Sequence, residues 1–478
     1  VVETTGQEEI VNTRTQRSHA VVIGASMAGV LAARALAEHF ERVTIVDRDR
    51  LPDSGSFRNG VPQGHHLHVL LVGGRHAIES LLPGFESDLV AAGAVAVRFP
   101  QDVLWLTAAG WSRRFEARPD DYVLSISRPL LESLVRRRVL EGEGIAVMDG
   151  CEAPALTTSA DGRVTGVEVR HRGDLDGSTR RELAADLVVD ASGRTSRCAD
   201  WLEALGYARP EETRIDSFLG YASRQYAPPP GWRNDWKALF LMSQAPNHAR
   251  TGFLFPIEEG RWIVTLAGAG RDYPPTDDQG FLDFARSLRH PVLHEAISGA
   301  EPLTPIHSWR HTENRRRHFE RLRRWPHGLI ALGDAACAFN PIYGQGMSVA
   351  AQTAVALDRE LREADDLDRL TQRFKRTVAA RAAGAWLLAT GEDLRYPTTE
   401  GSRVGLTTKL THRYLDRVVR AATADPAMNR VFLEVLALVR PPASLFHPRV
   451  AAAALRRHEP PQRVPELPAS AISSAGVA

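Results

Sequence analysis

Cysteine is nearly absent from this 478-residue sequence: Cys151, Cys198 and Cys337 are the whole complement. Three widely separated thiols are odd in number and match neither a disulfide framework nor the clustered spacing of a metal site. A reducing, cytoplasmic setting fits that usage. Long apolar runs are absent too, and none approaches the roughly twenty residues that cross a bilayer. Charge of one sign is lacking: the formal net charge is +1, so no global field points to nucleic acid or to an anionic membrane. The basic runs Arg136–Arg138, Arg315–Arg317 and Arg321–Arg324 are local; such runs are usually solvated helix faces, with phosphate recognition as the alternative. No internal repeat is evident. Residues 1–18 are polar, lack the apolar core of a secretory leader and read as a disordered lead. The Pro/Ala/Ser-rich stretch 458–478 reads as a disordered tail.

What is present is strongest near the beginning. Ala20 to Ile23 form a short buried strand, Gly24 turns the chain, and a helix runs from Val30 to Ala37. A second strand, Val43 to Val46, ends at Asp47. This is a βαβ unit with a glycine turn at the helix N-terminus, where unpaired N–H groups and a partial positive charge suit a pyrophosphate. Gly24 permits the turn, Gly29 permits close packing of helix on strand, and Asp47 is spaced to accept ribose hydroxyls. Ser26 stands where the middle glycine of G-x-G-x-x-G is usual. An ordinary βαβ crossover with a glycine-rich turn is the competing interpretation.

The nucleotide pattern returns later. Leu187 to Val189 read as a buried strand ending in Asp190-Ala191-Ser192-Gly193-Arg194-Thr195-Ser196, and Leu329 to Leu332 as another, running into Gly333-Asp334. Behind it, Pro341-Ile342-Tyr343-Gly344-Gln345-Gly346 opens a long helix from Met347 to about Glu363. If these strands share one sheet, the Gly24 turn, the Asp190–Ser196 turn and Gly333–Gly346 converge. Asp334, at a strand end, is placed for a sugar or ribityl hydroxyl, or for a simple turn cap. Gly344 and Gly346 bring bare backbone to a helix N-terminus, which favours an anion. A reduced flavin ring suits that better than a nicotinamide does. Between these parts, 207–324 is rich in aromatic residues and reads as a β-rich insertion. The expected class is α/β, with a Rossmann-type cofactor domain at 19–100, 125–206 and 325–365, a β-rich substrate domain at 101–124 and 207–324, and a C-terminal helical cap at 366–457.

The combination resembles the FAD-dependent monooxygenases with the glutathione-reductase-type FAD fold, over roughly residues 20–363. It rests on the first glycine motif with Asp47, on Arg58 and Arg128, on Asp190–Ser196, and on Gly333-Asp334, Pro341 and Gly344-x-Gly346. The resemblance implies FAD contacts from Gly24, Ser26, Met27, Ala28, Gly29, Asp47, Arg48, Arg58, Arg128, Asp190, Gly193, Gly333, Asp334, Pro341, Gly344, Gln345, Gly346 and Met347. A closer similarity, to squalene-epoxidase-like enzymes of polyether biosynthesis, lies in Arg58–His68, in Phe255-Pro256-Ile257-Glu258 with Arg261–Thr265, and in Phe339–Gly344.

That similarity implies alkene epoxidation of an apolar polyketide or terpenoid intermediate through a flavin C4a-hydroperoxide, using O2 and electrons from NAD(P)H or a partner flavin reductase. Aromatic hydroxylases of this fold usually carry Asp-Gly, linked to NAD(P)H use, where this chain has Ser192-Gly193. They commonly carry His where Cys337 stands. Hydroxylation, halogenation, isoprenoid reduction and a non-catalytic carrier role are the alternatives. Halogenases carry a W-x-W-x-I-P motif and a catalytic lysine, and the motif is not found here. The aromatic candidates for a substrate pocket are Trp105, Trp111, Phe218, Tyr221, Phe240, Phe253 and Phe255. His65, His66 and His68 lack the partners of a metal site and point to a flavin-facing or helix-opening segment. Arg373, Lys375, Arg376, Arg413, Arg417 and Arg420 intersperse the apolar positions of the C-terminal region, which suits a soluble helical cap, with an amphipathic contact to a membrane surface as the alternative. Partners other than a small apolar substrate and a flavin reductase are not implied.

Overall fold

The computed structural model describes residues 17–52, 55–174 and 177–467. Residues 1–16 of the expected lead and 468–478 of the expected tail lie outside them. The described ends differ from expectation because they find partners. The Arg17 guanidinium donates to the Leu361 carbonyl at 3.1 Å, and the Ser18 amide donates to the Asp186 carboxylate at 2.9 Å. At the other end the Leu467 amide donates to Asp235 at 3.2 Å.

Five strands make one wholly parallel sheet, in the order Leu329–Ala331, Leu187–Asp190, His19–Ile23, Arg42–Val46, Ile145–Met148. The three central strands are short apolar runs because the sheet is covered by helices and by a three-stranded antiparallel sheet of Cys151–Thr158, Val164–His171 and Arg181–Ala184, which leave it no wet side. Helix α1 (Met27–Ala37) is buried on almost every side, as a helix apolar all round must be. Helix α2 (Val72–Leu81) and helix α3 (Arg128–Leu140) follow. Helix α4 (Gly346–Glu363) packs against α1 and α2. The C-terminal ends of Leu329–Ala331, Leu187–Asp190, His19–Ile23 and Arg42–Val46 open on one cleft, the usual ligand position of a parallel sheet.

The second layer is an eight-stranded sheet. Its spine is Gly220–Ala227, Trp262–Gly268, Arg250–Pro256, Ala238–Leu241, Val103–Thr107 and Gly110–Trp111. A three-stranded sheet of Val69–Leu70, Tyr122–Ser125 and Val95–Arg98 lies beside it. That small sheet pairs Val95–Arg98 with Tyr122–Ser125, so it joins residues that the sequence divides between two domains. C-terminal helices follow: α5 (Leu367–Asp393), α6 (Leu406–Ala424) and α7 (Pro426–Leu436), with the short helix Pro448–Ala454 packed against them. Helices α6 and α7 bury Val418, Ala421, Ala422, Met428 and Val435 between them. Among the described residues no helix is long and apolar enough to cross a membrane.

The basic runs are largely absorbed by this framework. Arg315 and Arg317 donate to the carbonyls of Arg194 and Ala335, and Arg316 pairs with Glu320. Arg321 pairs with Glu211, and Arg324 lies over the Tyr207 ring.

Candidate functional site: a nucleotide cleft continuous with an aromatic chamber

The turn after the first strand is built from two glycines that cannot be replaced. Gly24 has φ +105°, and a Cβ there would lie 2.5 Å from the Ala191 carbonyl oxygen. A Cβ on Gly29 would lie 1.8 Å from the Gly24 carbonyl oxygen. Gly29 therefore sets the packing of helix on strand, and it does not reach the cleft wall, which is made by Gly24, Ser26, Met27 and Ala28. Ser26 is the N-cap of α1, yet its side chain caps none of the first-turn N–H groups, leaving them for a ligand. Its hydroxyl accepts from Arg128 Nη2 at 2.9 Å, a bond that the usual glycine could not make.

Asp47 is more occupied than its spacing suggests. Its carboxylate accepts from the Ala25 amide at 2.6 Å and the Asp49 amide at 2.8 Å. Arg58 Nη1 lies 3.4 Å from it. Arg58 in turn donates from Nε to Glu132 at 2.9 Å, and Arg128 donates to Glu132 at 3.1 Å. Burial alone would raise the Glu132 carboxyl, but the two guanidinium groups outweigh it and hold it below the usual range. Arg58 and Arg128 thus stand at the cleft wall as a pair fixed by one acid.

Asp190 is a correction. It is fully buried and turned away from the cleft, accepting from the Ser192 amide at 3.0 Å and from the Ser192 and Ser196 hydroxyls. It braces the turn, while Gly193 (φ +77°) faces the cleft with open space where a Cβ would stand. Arg48 is exposed at the rim, 3.5 Å from the Thr195 hydroxyl. Arg194, absent from the expected cofactor contacts, lines the cleft and is held by Glu313 at 2.8 Å. The only signal for it was its place inside the expected turn. Across from it, Gly333 and Asp334 form the wall. Burial raises the Asp334 carboxyl, and Arg194, Arg128 and Arg315 partly offset this. Its side chain makes no hydrogen bond among the described residues, so it is free to accept from a ligand hydroxyl.

The far end of the cleft is the loop Pro341–Gly346. Gly344 has φ +69°, and a Cβ on either Gly344 or Gly346 would meet nothing within 4 Å. These glycines fill no packing requirement; they leave room at the N-terminus of α4. Gln345 and Met347 also line the cavity there. Gln345 Oε1 is buried without a partner among the described residues, and such an orphan asks for a ligand. Free N–H groups at one helix N-terminus, an unengaged acid at mid-cleft and an open glycine cradle at a second N-terminus fit an extended dinucleotide with a ring at one end.

The cleft continues into a chamber under the large sheet, the two together enclosing 1290 Å³. Strand register decides which aromatic residues face it. Trp105 pairs with Phe240, and Phe240 with Phe253; directly paired residues share a face. Phe255, two residues from Phe253, joins them, and Tyr221 lines the same chamber. Trp111 does not. It pairs with Leu106, the neighbour of Trp105 on the opposite face, and is buried against Leu104, Leu239 and Phe281. Phe218 also lies elsewhere, in a turn at φ +49° with the Arg271 guanidinium over its ring. Trp105→Phe is therefore expected to weaken binding of an apolar fluorescent probe several-fold. Trp111→Phe should leave probe binding unchanged and cost about 1 kcal/mol of stability. Equal effects on probe titration would refute the face assignment.

The chamber roof comes from helices inside the expected cap, although which of their residues face the chamber is not legible in the sequence. Leu388 of α5, Leu415 of α6 and Phe432, Leu433 and Leu436 of α7 line it, and Phe432 stacks on Trp105 at 6.0 Å. The histidine segment is structural in two places and cavity-facing in one. His65 ends a 3-10 turn and stacks between Phe57 and His307. His66 bonds Ser223 at 2.8 Å, and burial pushes it down to about 3. His68 lines the cleft, and burial pushes it down to about 4. Both are neutral at pH 7. Among the described residues no group of three His, Cys, Asp or Glu side chains is arranged for a metal.

Comparison with known proteins agrees with this geometry. The FAD binding domain family matches residues 86–389. The chain is 31% identical over 430 residues to Protein Rv3254 of Mycobacterium tuberculosis, covering 88% of this chain and 90% of that one. It is 28% identical over 354 residues to kynurenine 3-monooxygenase of Salinispora arenicola, covering 72% of each. In fold it is similar to the flavin-dependent brominase Bmp2, with a TM-score of 0.64 at 14% identity over 91% of this chain and 97% of that one. It is likewise similar to the myxobacterial chondrochloren halogenase CndH, with a TM-score of 0.61 at 16% identity over 93% and 98%. With the Asp190–Ser196 turn and the Gly333–Gly346 segment inside the matched range and the first βαβ unit completing the same sheet, the chain belongs to the FAD binding domain family.

Proposed function

We propose that this protein is an FAD-dependent monooxygenase that inserts one O2-derived oxygen atom into an alkene of an apolar polyketide or terpenoid substrate. The observation that carries this reading is the continuity of the nucleotide cleft with the chamber of Trp105, Tyr221, Phe240, Phe253 and Phe255. Bound and reduced, FAD supplies two electrons to O2, so that one oxygen atom enters the substrate and the other leaves as water.

The protein's part is binding, orientation and exclusion of water. The N-terminus of α1 would take the pyrophosphate, Asp334 the ribityl hydroxyls, and the N–H groups at Gly346 and Met347 the electron-rich edge of the ring. The aromatic wall gains about 25 cal/mol for each Å² of apolar substrate surface it covers. The roof residues of α5, α6 and α7 shut water out of the chamber. No side-chain nucleophile is required. A halogenase reading is disfavoured by the lysines: Lys237 pairs with Asp102, Lys375 donates to the Leu322 carbonyl, and Lys409 is exposed. None of these three, the only lysines in the sequence, lines the cavity.

The test is the visible spectrum of the purified protein, followed by NADPH without air and then by air with apolar alkenes. The expected result is a flavin spectrum, bleaching by NADPH or by an added flavin reductase, and a product one oxygen atom heavier than its alkene. A protein that cannot be loaded with FAD overturns the reading. Turnover that proceeds only without oxygen assigns it to the reductases.

A further inference from the structure

Helix α5 ends beneath the loop that forms the ring end of the cleft, and its last residue, Asp393, is fully buried. Every side-chain donor it meets is neutral. Asn314 Nδ2 donates to Oδ2 at 2.6 Å, the Tyr343 hydroxyl donates to Oδ1 at 2.7 Å, and Asn340 Nδ2 reaches both oxygens at 3.1 and 3.2 Å. The two amides cannot turn round to suit a different partner. Asn314 Oδ1 accepts the Asn340 amide at 2.8 Å, and Asn340 Oδ1 accepts the Ile342 amide at 3.3 Å. One carboxylate therefore holds both ends of Asn340–Tyr343, the segment that carries Pro341 and Ile342 on the cavity wall and leads into Gly344–Gly346.

This is an expensive arrangement for a purely structural peg. A buried carboxylate loses its hydration, and at the C-terminus of a helix it also meets the negative end of the dipole. The neighbouring charges are committed elsewhere. On α5 and just beyond it, Glu392 pairs with Arg395, which also pairs with Asp416 of α6. His412 of α6 meets the Gly391 carbonyl, Tyr396 donates to Ser243, Glu313 pairs with Arg194, and Asp216 accepts from the Phe218 amide. No cation bonds Asp393 among the described residues.

We propose that Asp393 is a positioning residue for the flavin: by locking Asn340 and Tyr343 it fixes the ring-facing wall and the entry to α4, and so sets the affinity and the environment of the ring. The proposal rests on the reading of Pro341–Gly346 as the flavin end of the cleft. Burial raises the Asp393 carboxyl to about 6. Below that pH it is a neutral acid that offers a proton of its own to a set of donors, and the loop loses an acceptor.

The experiment compares wild type, Asp393→Asn and Tyr343→Phe after loading with FAD, reading the FAD dissociation constant, the flavin absorption bands and the midpoint potential from pH 5 to 8. Wild type is expected to show a spectral and affinity step near pH 6. Asp393→Asn presents an amide NH2 to donors; it is expected to bind FAD about tenfold more weakly, the equivalent of one lost hydrogen bond, with shifted bands and no step. Tyr343→Phe keeps the acid and the fold, so the step persists while the affinity falls by a smaller factor; it also serves as the test if Asp393→Asn does not fold. Variants indistinguishable from wild type in affinity, bands and pH response overturn the proposal while leaving the flavin site standing. Wild-type protein that takes up no FAD overturns the site assignment and the proposal with it.

Discussion

Gly29→Ala is expected to yield a protein that cannot retain FAD. The new methyl carbon would sit 1.8 Å from the Gly24 carbonyl oxygen and 2.9 Å from its carbon. Neither neighbour can give way. Gly24 is itself pressed against Ala191, and the His19–Ile23 strand is bonded on both edges, to Arg42–Val46 and to Leu187–Asp190. Helix α1 must then lift from the sheet, taking its first-turn N–H groups away from the cleft. A backbone clash of this kind belongs with the most damaging substitutions, about 4 kcal/mol or more. Flavin absorbance that travels with the protein through gel filtration reports the outcome. Full FAD stoichiometry in the variant would mean that the turn tolerates a Cβ and that the packing argument is wrong.

Glu132→Gln is the second large effect. Glu132 is buried between Arg58 and Arg128. Its removal leaves Arg128 without its acid, and Arg58 with only its longer contacts to Asp47 and Asp49, at the cleft wall. Breaking a buried ion pair by deleting one partner costs about 3–5 kcal/mol. The pH dependence has a definite sign. The folded carboxyl lies below its usual value, so its contribution is present above the unfolded value of about 4.3 and is lost as pH falls through the folded one. The stability gap between wild type and variant, measured by denaturant titration, should be full at pH 7 and narrow in acid below about pH 4. A gap that is small at pH 7, or constant with pH, would show that the guanidinium groups do not depend on this acid.

Local pattern made the cofactor half of the molecule legible. The strand, turn and helix from Ala20 to Ala37, the acid at Asp47, and the Gly333–Gly346 segment each announce themselves over a few residues, because strand period, glycine turns and helix starts are local properties. Facing is not local. Trp105 and Trp111 are equally aromatic and lie in the same hairpin; only the pairing of Trp111 with Leu106 tells that one lines the chamber and the other the core behind it. Asp190 ends a strand just as Asp47 does, yet its side chain turns to Ser196 instead of the cleft. Asp393 was out of reach for a different reason. Its partners Asn314, Asn340 and Tyr343 are more than forty residues away in the chain, and a single acid on a helix carries no signature of what it will meet. The aromatic roof from α7 was hidden likewise, since Phe432 and Leu433 read as ordinary apolar positions of an amphipathic helix.

The order of strands in the parallel sheet bears on how the protein comes into being. Leu329–Ala331 docks beside Leu187–Asp190, but the ribosome makes most of the large sheet between the two. Until it does, Leu187–Asp190 is an unpaired edge, open to wrong partners, and neither Gly333–Asp334 nor the N-terminus of α4 exists. The contact is of long range and pays its loop-closure entropy late, which makes it a slow step in assembly. The first βαβ unit emerges early with half a binding site. Flavin capture therefore belongs to the end of biogenesis, where it acts as the clasp that ties the early βαβ unit to a strand and a helix made about three hundred residues later.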